Sequence, residues 1–239
     1  MYDLCIALLL LADPQATATA ATTPARITAA VHPSVAPPSA SPALEIVVEK
    51  KLPDNKVEMM TPTHVFQTGD VIRLRLVSQF DGFLYMMDQG SSGQFSTVFP
   101  SVAAGNDNRI VRGKTYLVPA TQDGWFQITG PPGFDVFYFL VSPNPLTTPA
   151  TSSFIAPGPA SSLRPRCNDA IFRARGECED VSAGPMPVPR DAPLPAPLAP
   201  IAGTASRDIT IVRRNDEVTV QSDSAKTAPV IYTFRLAHN

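Results

Sequence analysis

The stretch Phe66-Gln-Thr-Gly-Asp-Val-Ile-Arg-Leu-Arg-Leu-Val77 decides the fold of this chain. Within it, Ile72, Leu74 and Leu76 alternate with Arg73 and Arg75. Successive side chains of a β-strand point to opposite faces, so this alternation predicts a strand with one apolar face and one wet face. A turn signal at Gly69-Asp70 precedes the strand.

Further short apolar segments follow, each bounded by turn residues. They are Asp81-Gly-Phe-Leu-Tyr85, Phe95-Ser-Thr-Val-Phe-Pro100 and Pro131-Pro-Gly-Phe-Asp-Val-Phe-Tyr-Phe-Leu-Val141. The last of them is apolar on both faces from Val136 to Val141, as expected of a central strand that is covered on both sides. Upstream, Leu44–Lys51 predicts a first strand.

The C-terminal residues read as a hairpin followed by a strand. Asp208–Arg213 and Glu217–Gln221 flank a turn at Asn215-Asp216, and Val230–Leu236 alternates in the same way. Three strands alone would be marginally stable, so we expect this tail to pack on the main sheet. With nine or ten strands in all, the sequence predicts an all-β, antiparallel β-sandwich of immunoglobulin-like dimensions, with a small closed barrel as the alternative.

Proline clusters set the domain organisation. Of 26 prolines, many fall in two stretches that lack apolar periodicity, which we interpret as disordered linkers at 21–43 and 181–204. The sandwich then comprises residues 44–180, and 205–239 completes it. This leaves enough foldable chain for one ordinary core.

An apolar run near the start resembles the core of a secretory signal peptide. Residues 5–12 are too few to cross a membrane as a helix, but they suit such a core, and small residues at 16–20 offer cleavage sites. The first four residues depart from the usual basic start, since Asp3 is acidic and no Lys or Arg is present. We predict a leader at 1–20, export to the periplasm or beyond, and no transmembrane anchor.

Removal of that leader would leave two cysteines, Cys167 and Cys178. An even pair in an exported chain is a disulfide candidate. Between them, Asn168 and Gly176 supply start and stop signals for one short helix within 167–178. The spacing matches neither a CxxC motif nor a zinc site, and a nucleophilic cysteine would need a nearby histidine. A structural disulfide is therefore the prediction.

Taken together, these segments resemble a bacterial domain of unknown function, the family numbered 4384, over roughly residues 60–145. The resemblance rests on Phe66-x-x-Gly69-Asp70, Arg73-Leu-Arg75, Asp81-Gly-Phe-Leu-Tyr85, Phe99-Pro100, Pro119 and Pro132-Gly133. Asp135 stands where the family pattern has Glu. The tail, with Tyr232-x-Phe-Arg-Leu-x-His238, is similar to that of exported single-domain members. The resemblance implies occurrence behind export signals or beside signalling and protease-like modules, with no assigned catalysis.

The motif residues have a structural interpretation. Gly, Pro and Asp serve turns far more often than chemistry, so we assign six positions to turns and corners. They are Gly69, Asp70, Asp81, Gly82, Pro132 and Gly133.

Metal-binding patterns are weak in this sequence. His32, His64 and His238 are widely separated and form no HxH or HExxH pair. Methionine could supply soft ligands to copper, although adjacent methionines on a strand point to opposite faces and usually fill core gaps. The candidates are Met59, Met60, Met86 and Met87. We expect no cofactor and no metal.

Catalytic patterns are equally weak. No GxSxG elbow is present, and Gly90-Ser-Ser-Gly93 lacks the Lys of a phosphate-binding loop. A pair of carboxylates could act as acid and base, and the candidates are Asp70, Asp81, Asp88, Asp123 and Asp135. Aromatic residues could form a binding face or belong to the core, and these are Tyr85, Trp125, Phe126 and Tyr138.

Charge excludes one class of partner. Nineteen basic and 21 acidic residues are spread along the chain, which gives a net charge of −2. No basic stripe is present, so we expect no nucleic-acid partner. The small clusters Arg164/Arg166 and Arg173/Arg175 are interpreted as solvated surface.

Three functions remain open from the sequence. The first is a non-catalytic interaction module of the cell envelope, which would contact a protein or glycan through an edge strand or through loops 88–94 and 103–108. The second is a hydrolase with a carboxylate site, which requires two acids converging beside an aromatic wall. The third is a structural spacer.

Overall fold

In the computed structural model, the strand at Val71–Ser78 alternates between buried and half-buried side chains along its whole length. The structure describes residues 41–101, 105, 107–120, 124–146, 164–167, 178–192 and 194–239. The predicted leader (1–20), nearly all of the first linker and the predicted helix between the two cysteines lie outside these residues. The fold described below belongs to the unit Ala40–Asn239.

The described strands form two sheets. The members of the first sheet are β1 (Ala43–Lys51), β2 (Val57–Met60), β4 (Val71–Ser78), β8 (Thr115–Val118), β9 (Phe126–Gln127), β12 (Thr210–Arg214) and β13 (Glu217–Gln221). Their order is β12-β13-β1-β4-β8, with β2 paired to β1 and β9 paired to β4.

The members of the second sheet are β3 (Val65–Phe66), β5 (Gly82–Gln89), β6 (Phe95–Phe99), β7 (Arg109–Ile110), β10 (Gly133–Ser142), β11 (Gly184–Pro187) and β14 (Val230–His238). Their order is β11-β14-β10-β5-β6, with β3 paired to β14 and β7 paired to β5. All pairings in both sheets are antiparallel except β3 with β14. Among the described residues, 3₁₀ helices span Ala196–Ile201 and Asp223–Lys226.

The inner faces of the two sheets share one apolar core. From the first sheet, Ile46 and Leu74 enter it, and from the second, Phe139 and Phe234. The Phe139 ring stacks on Tyr232 with 5.0 Å between ring centroids. Two sheets packed on a common core form a sandwich, as predicted, rather than a closed barrel.

The C-terminal residues contribute to both sheets. β13 pairs with β1 from Ala43↔Gln221 to Val47↔Glu217, while β14 pairs with β10 from Gly133↔His238 to Val141↔Val230. β10 therefore lies between β14 and β5, which explains its apolar character on both faces.

The segment 181–204 is not the disordered linker expected from its prolines. β11 lies within it and pairs with β14, and Val188 and Leu198 are buried against Leu140 and Ile231 on the outer face of the second sheet. Proline cannot donate to a ladder, but an edge strand needs pairing on one side only. Pro185 and Pro187 are two residues apart, so they occupy equivalent positions along the ladder, and β11 remains paired with β14 despite both.

Candidate functional site

The turn before β4 is held by the two residues predicted for it. Gly69 has φ of 95°, a backbone conformation in which a side chain is strained. Asp70 accepts hydrogen bonds from the Gln67 backbone N–H at 2.9 Å and from Lys50 Nζ at 2.8 Å. Gly69 and Asp70 therefore both stabilise the local structure of the turn.

Asp81 and Gly82 join neighbouring segments instead of forming a simple hairpin turn. Asp81 Oδ1 accepts a hydrogen bond from the Arg112 backbone N–H at 3.1 Å. Gly82 already belongs to β5, and a Cβ there would lie 2.6 Å from the Phe80 ring and 2.7 Å from the Ser142 carbonyl oxygen. Glycine is required at this position for close approach, not for turn conformation.

The corner before β10 contains Pro132 and Gly133. Pro132 is exposed, and Gly133 begins the strand opposite His238. This corner brings the start of β10 against the end of the chain, where Asn239 N–H donates to the Phe66 carbonyl oxygen.

The predicted disulfide is present between Cys167 and Cys178. Cys178 is buried in a small cluster with Val65 of β3, Phe134 of β10 and Ala237 of β14. A backbone hydrogen bond from Val65 N–H to the Cys178 carbonyl oxygen fixes this segment to β3. The bridge is structural.

The methionines considered as copper ligands lie in separate environments. Met59 is exposed on the first sheet, while Met86 and Met87 point into different apolar clusters on either side of the second. His64 packs edge-on against Phe66 with 4.7 Å between centroids. Within the residues that the structure describes, no group of three or more His, Cys, Asp or Glu side chains is arranged to hold a metal ion.

Two of the candidate carboxylates do converge. Asp88 is the last residue but one of β5 and Asp135 is the third residue of β10, and both lie on the inner face at one end of the sandwich. His238, which is fully buried, approaches Asp135 with 3.4 Å between Nε2 and Oδ1. The same carboxylate oxygen accepts a hydrogen bond from the Ser91 backbone N–H at 2.7 Å. We call this group of Asp88, Ser91, Asp135 and His238 the polar end.

Burial dominates the electrostatics of the polar end. Removal from water raises the pKa of Asp88 well above its ordinary value, and the nearby Asp135 charge raises that pKa further. Asp88 Oδ1, Ser91 Oγ and both ring nitrogens of His238 are buried without a hydrogen-bond partner. Buried polar groups of this kind are costly to a folded chain.

The polar end contains serine, histidine and aspartate, but not in a triad arrangement. A nucleophilic serine must share a hydrogen bond with its base, and neither Ser91 Oγ nor His238 makes one. Two cavities of the described structure lie away from the polar end. One is lined by Pro42, Phe80 and Tyr232 among others, and the second by Arg190, Ser206 and Asp208.

A different constellation lies on the outer face of the first sheet. Cross-strand neighbours place Glu49 of β1 between two arginines of β4. Arg73 Nε donates to Glu49 Oε2 at 2.6 Å, and Arg75 Nε donates to Glu49 Oε1 at 2.7 Å. Glu49 is buried although it lies on the outer face, so the two guanidinium groups cover it.

Trp125 completes this face. The Arg73 guanidinium lies 4.3 Å from the centroid of the Trp125 ring, and Lys51 Nζ lies 5.9 Å from it. Cations over an indole face are attracted by its quadrupole. The other aromatic candidates belong to the packing: Tyr85 is buried, and Phe126 packs against Phe137.

Exposed apolar side chains surround the ion pairs. Met59 is 53% exposed, Val57 46% and Leu117 39%. The ladder places Met59 beside Glu49 and Leu117 beside Arg75, all pointing outward. We call the surface of Lys51, Val57, Met59, Arg73, Arg75, Leu117 and Trp125 the Trp125 face.

Sequence reasoning identified the wet side of β4 but not this face. Arg73 and Arg75 were assigned to solvent, and Trp125 was one of four aromatic candidates. The sequence feature that indicates this face is that Glu49 and Met59 occupy outward-facing positions of their strands. This feature can be recognised only when β1, β2 and β4 are known to be neighbours.

Among the described residues, no helix has both the length and the apolar character needed to cross a membrane. Neither the comparison with curated proteins nor that with solved structures returns a match. The comparison with family models returns "Domain of unknown function (DUF4384)" over residues 65–145. That segment runs from β3 to the end of the turn after β10, and it contains β4 and the polar end's Asp88, Ser91 and Asp135. This chain therefore contains, at residues 65–145, a match to the family DUF4384, which confirms the resemblance drawn from its sequence.

Proposed function

We propose that this chain is an exported, non-catalytic β-sandwich that binds a protein partner at the bacterial cell envelope through the Trp125 face. The observation that carries the proposal is the grouping of exposed apolar side chains around the paired arginines Arg73 and Arg75, with the Arg73 guanidinium over the Trp125 ring. Tryptophan and arginine are enriched among the residues that dominate binding energy at protein interfaces. Exposed apolar patches rimmed by charge are typical of such surfaces.

Two features support export. A disulfide persists in oxidising compartments and is rare in the cytosol, and Cys167–Cys178 is such a bridge. The apolar run at residues 5–12 resembles the core of a secretory signal peptide, which would direct the chain to export. Mass spectrometry of the native protein should find a chain that starts after residue 18 or 20, with two fewer hydrogens than its reduced form. A full-length cytosolic product with free thiols would contradict export.

Affinity capture from envelope extract tests the binding function. The bait is the mature chain, beside the double variant Met59→Ser/Leu117→Ser, which removes two apolar contacts from the Trp125 face. The matched control is Val181→Ser, because Val181 is 68% exposed in the turn before β11 of the second sheet. One stoichiometric protein held by the wild type and the control, and lost by the double variant, supports the proposal.

Other outcomes of the capture favour other functions. A partner retained by the double variant contradicts binding at this face. Recovery of a glycan in place of a protein contradicts the protein partner. Recovery of nothing favours a structural spacer.

A carboxylate hydrolase is the second candidate, and one observation favours it. Asp88 lies close to Asp135, and burial raises the pKa of Asp88 well above its ordinary value. A carboxyl group with a raised pKa can act as the general acid beside a second carboxylate. Chromogenic glycoside and ester panels should be compared for the wild type and Asp135→Asn. Turnover that disappears in the variant, at unchanged stability, would favour this hydrolase over the interaction module.

A further inference from the structure

β2 is an edge strand with exposed side chains. It pairs with β1 through Val48↔Met60 to Lys51↔Val57, and in the described part of the chain no second strand joins its other side. Val57, Glu58 and Met59 are all exposed. An edge of this kind presents backbone donors and acceptors to any extended segment that approaches it.

The side chains beside this edge are apolar and cationic. By register, Val57 lies next to Lys51 and Met59 next to Glu49 on the outer face. Arg75 reaches across the sheet to Met59, with 3.6 Å between its terminal nitrogen and Sδ. Only the Met59 side chain therefore separates the Arg75 guanidinium group from the open edge of β2.

Charge on this face is unbalanced. Lys51, Arg73 and Arg75 are three cations, and Glu49 is the one carboxylate that the two arginines share. Three positive charges against one negative charge leave a surplus of two. Glu217 also points to this outer face, but its ladder neighbour Arg214 offsets its charge. Glu45 lies at the far end of β1, beside Val77. The surplus of two next to β2 therefore remains.

The remaining charged side chains near β2 either form separate ion pairs or point to the other side of the sheet. Lys50 pairs with Asp70 at 2.8 Å, and Lys56 pairs with Asp54 at 2.7 Å. Glu58 lies opposite Lys50 and so points to the other side of the sheet. A ligand that approaches the outer side of the β2 edge therefore meets net positive charge.

We propose that the β2 edge accepts an extended, acidic segment of the partner protein, which adds as a strand beside β2 with its carboxylates next to Arg75 and Lys51. The inference rests on the proposed function, since it names the partner chemistry of the Trp125 face. Strand addition uses main-chain hydrogen bonds for affinity and alternate side chains for specificity. An acidic glycan would satisfy the charge but not the edge.

Trp125 makes the test direct, because it is the only tryptophan of the chain. The probe is a synthetic seven-residue peptide of alternating glutamate and valine, with blocked termini, titrated while Trp125 emission is recorded at low salt. Strand addition predicts a saturable change in emission, weakened at high salt by screening. An alternating lysine–valine peptide should produce no change.

Two further arms separate strand addition from simple charge attraction. The first is the same acidic peptide with alternate amides N-methylated, in both registers, which removes backbone donors but keeps the charge. At least one register should bind about tenfold more weakly or worse. The second arm is an acidic polysaccharide, and saturable binding to it that matches the peptide would overturn the proposal.

Variants locate the binding. Lys51→Ala and Met59→Ser should each weaken the acidic peptide severalfold, while Lys114→Ala should not, because Lys114 lies over Tyr116 at 5.2 Å. An unchanged Trp125 signal with the acidic peptide, or equal binding by the N-methylated peptides, overturns strand addition. Envelope capture lost in Met59→Ser/Leu117→Ser, together with no peptide binding, would leave the binding function standing and remove only this inference.

Discussion

At the scale of single residues, Gly82 shows how the same amino acid can be required for a reason other than the one its sequence context indicates. Asp-Gly is a strong turn signal, yet Gly82 lies in β5 with no space for a side chain. Gly69, by contrast, has the positive φ that a turn glycine is expected to have. Turn signals therefore located both positions correctly but explained only one.

Gly82→Ala should destabilise the chain by about 1–3 kcal/mol, because the added methyl must displace the Phe80 ring or the backbone carbonyl of Ser142. Urea denaturation gives the change in free energy of unfolding. Gly203→Ala is the control, since a Cβ there has no atom within 4 Å and the φ is ordinary. Equal stability of the two variants would show that β5 can move away from Phe80.

Asp88 should impose a pH dependence on stability. Its pKa is raised by burial and by the Asp135 charge, so above pH 4 the folded chain keeps a proton that the unfolded chain has released. Stability then falls as pH rises from about 4 through the raised pKa. Asp88→Asn cannot titrate, so its stability relative to the wild type should increase steadily from pH 4 to pH 7.

The check on Asp88→Asn is urea denaturation at pH 4, 5.5 and 7. Asp54→Asn is the matched control, because Asp54 is exposed and its Lys56 partner lowers its pKa. That variant should show no increase in relative stability over the same range. A constant difference between Asp88→Asn and the wild type would contradict the buried, protonated state.

At the scale of elements, the 181–204 segment is where composition was a poor guide. Clustered prolines indicated a linker, but β11 instead extends the second sheet at its edge, and the 3₁₀ helix at Ala196–Ile201 packs on the outer face of that sheet. Apolar residues such as Val188 and Leu198 lack strand or helix periodicity, because they pack one at a time on a surface that β5, β10 and β14 provide. That surface cannot be seen in the local sequence.

The disulfide between Cys167 and Cys178 constrains the segment that precedes β11. Replacement of both Cys167 and Cys178 by Ala should lower the free energy of unfolding by about 3 kcal/mol, since an 11-residue separation closes a short loop. Urea midpoints without reductant measure the loss. Dithiothreitol should reproduce the loss in the wild type and leave the double variant unchanged, and a wild type insensitive to reductant would contradict the prediction.

At the scale of the whole molecule, the two sheets depend on one core. Phe234 lies in β14 of the second sheet, fully buried, with its ring 6.4 Å from Phe139. Trp125 lies on the outer face of the first sheet beside Arg73. Because the apolar residues between the sheets are shared, loss of packing on one side should destabilise the other equally.

Phe234→Ala should cost about 3–5 kcal/mol through transfer and cavity effects. Trp125 emission and far-ultraviolet circular dichroism should follow the same unfolding curve, at a midpoint lowered equally for both probes. The exposed Val212→Ala on β12 is the control, with an effect within about 0.5 kcal/mol. Separate transitions for the two probes would show that the sheets unfold independently.

The sequence by itself determined the sandwich, the disulfide and the family match, because period-two alternation, an even cysteine pair and turn residues are local signals. Only the tertiary structure decided which residues meet. Asp88, Asp135 and His238 converge because β5, β10 and β14 are neighbours. Glu49, Arg73 and Trp125 meet because β4 pairs with β1 on one side and with β9, which Trp125 directly precedes, on the other. Which distant strands pair depends on how all the apolar inner faces pack together into one shared core. No single segment of the sequence contains that information.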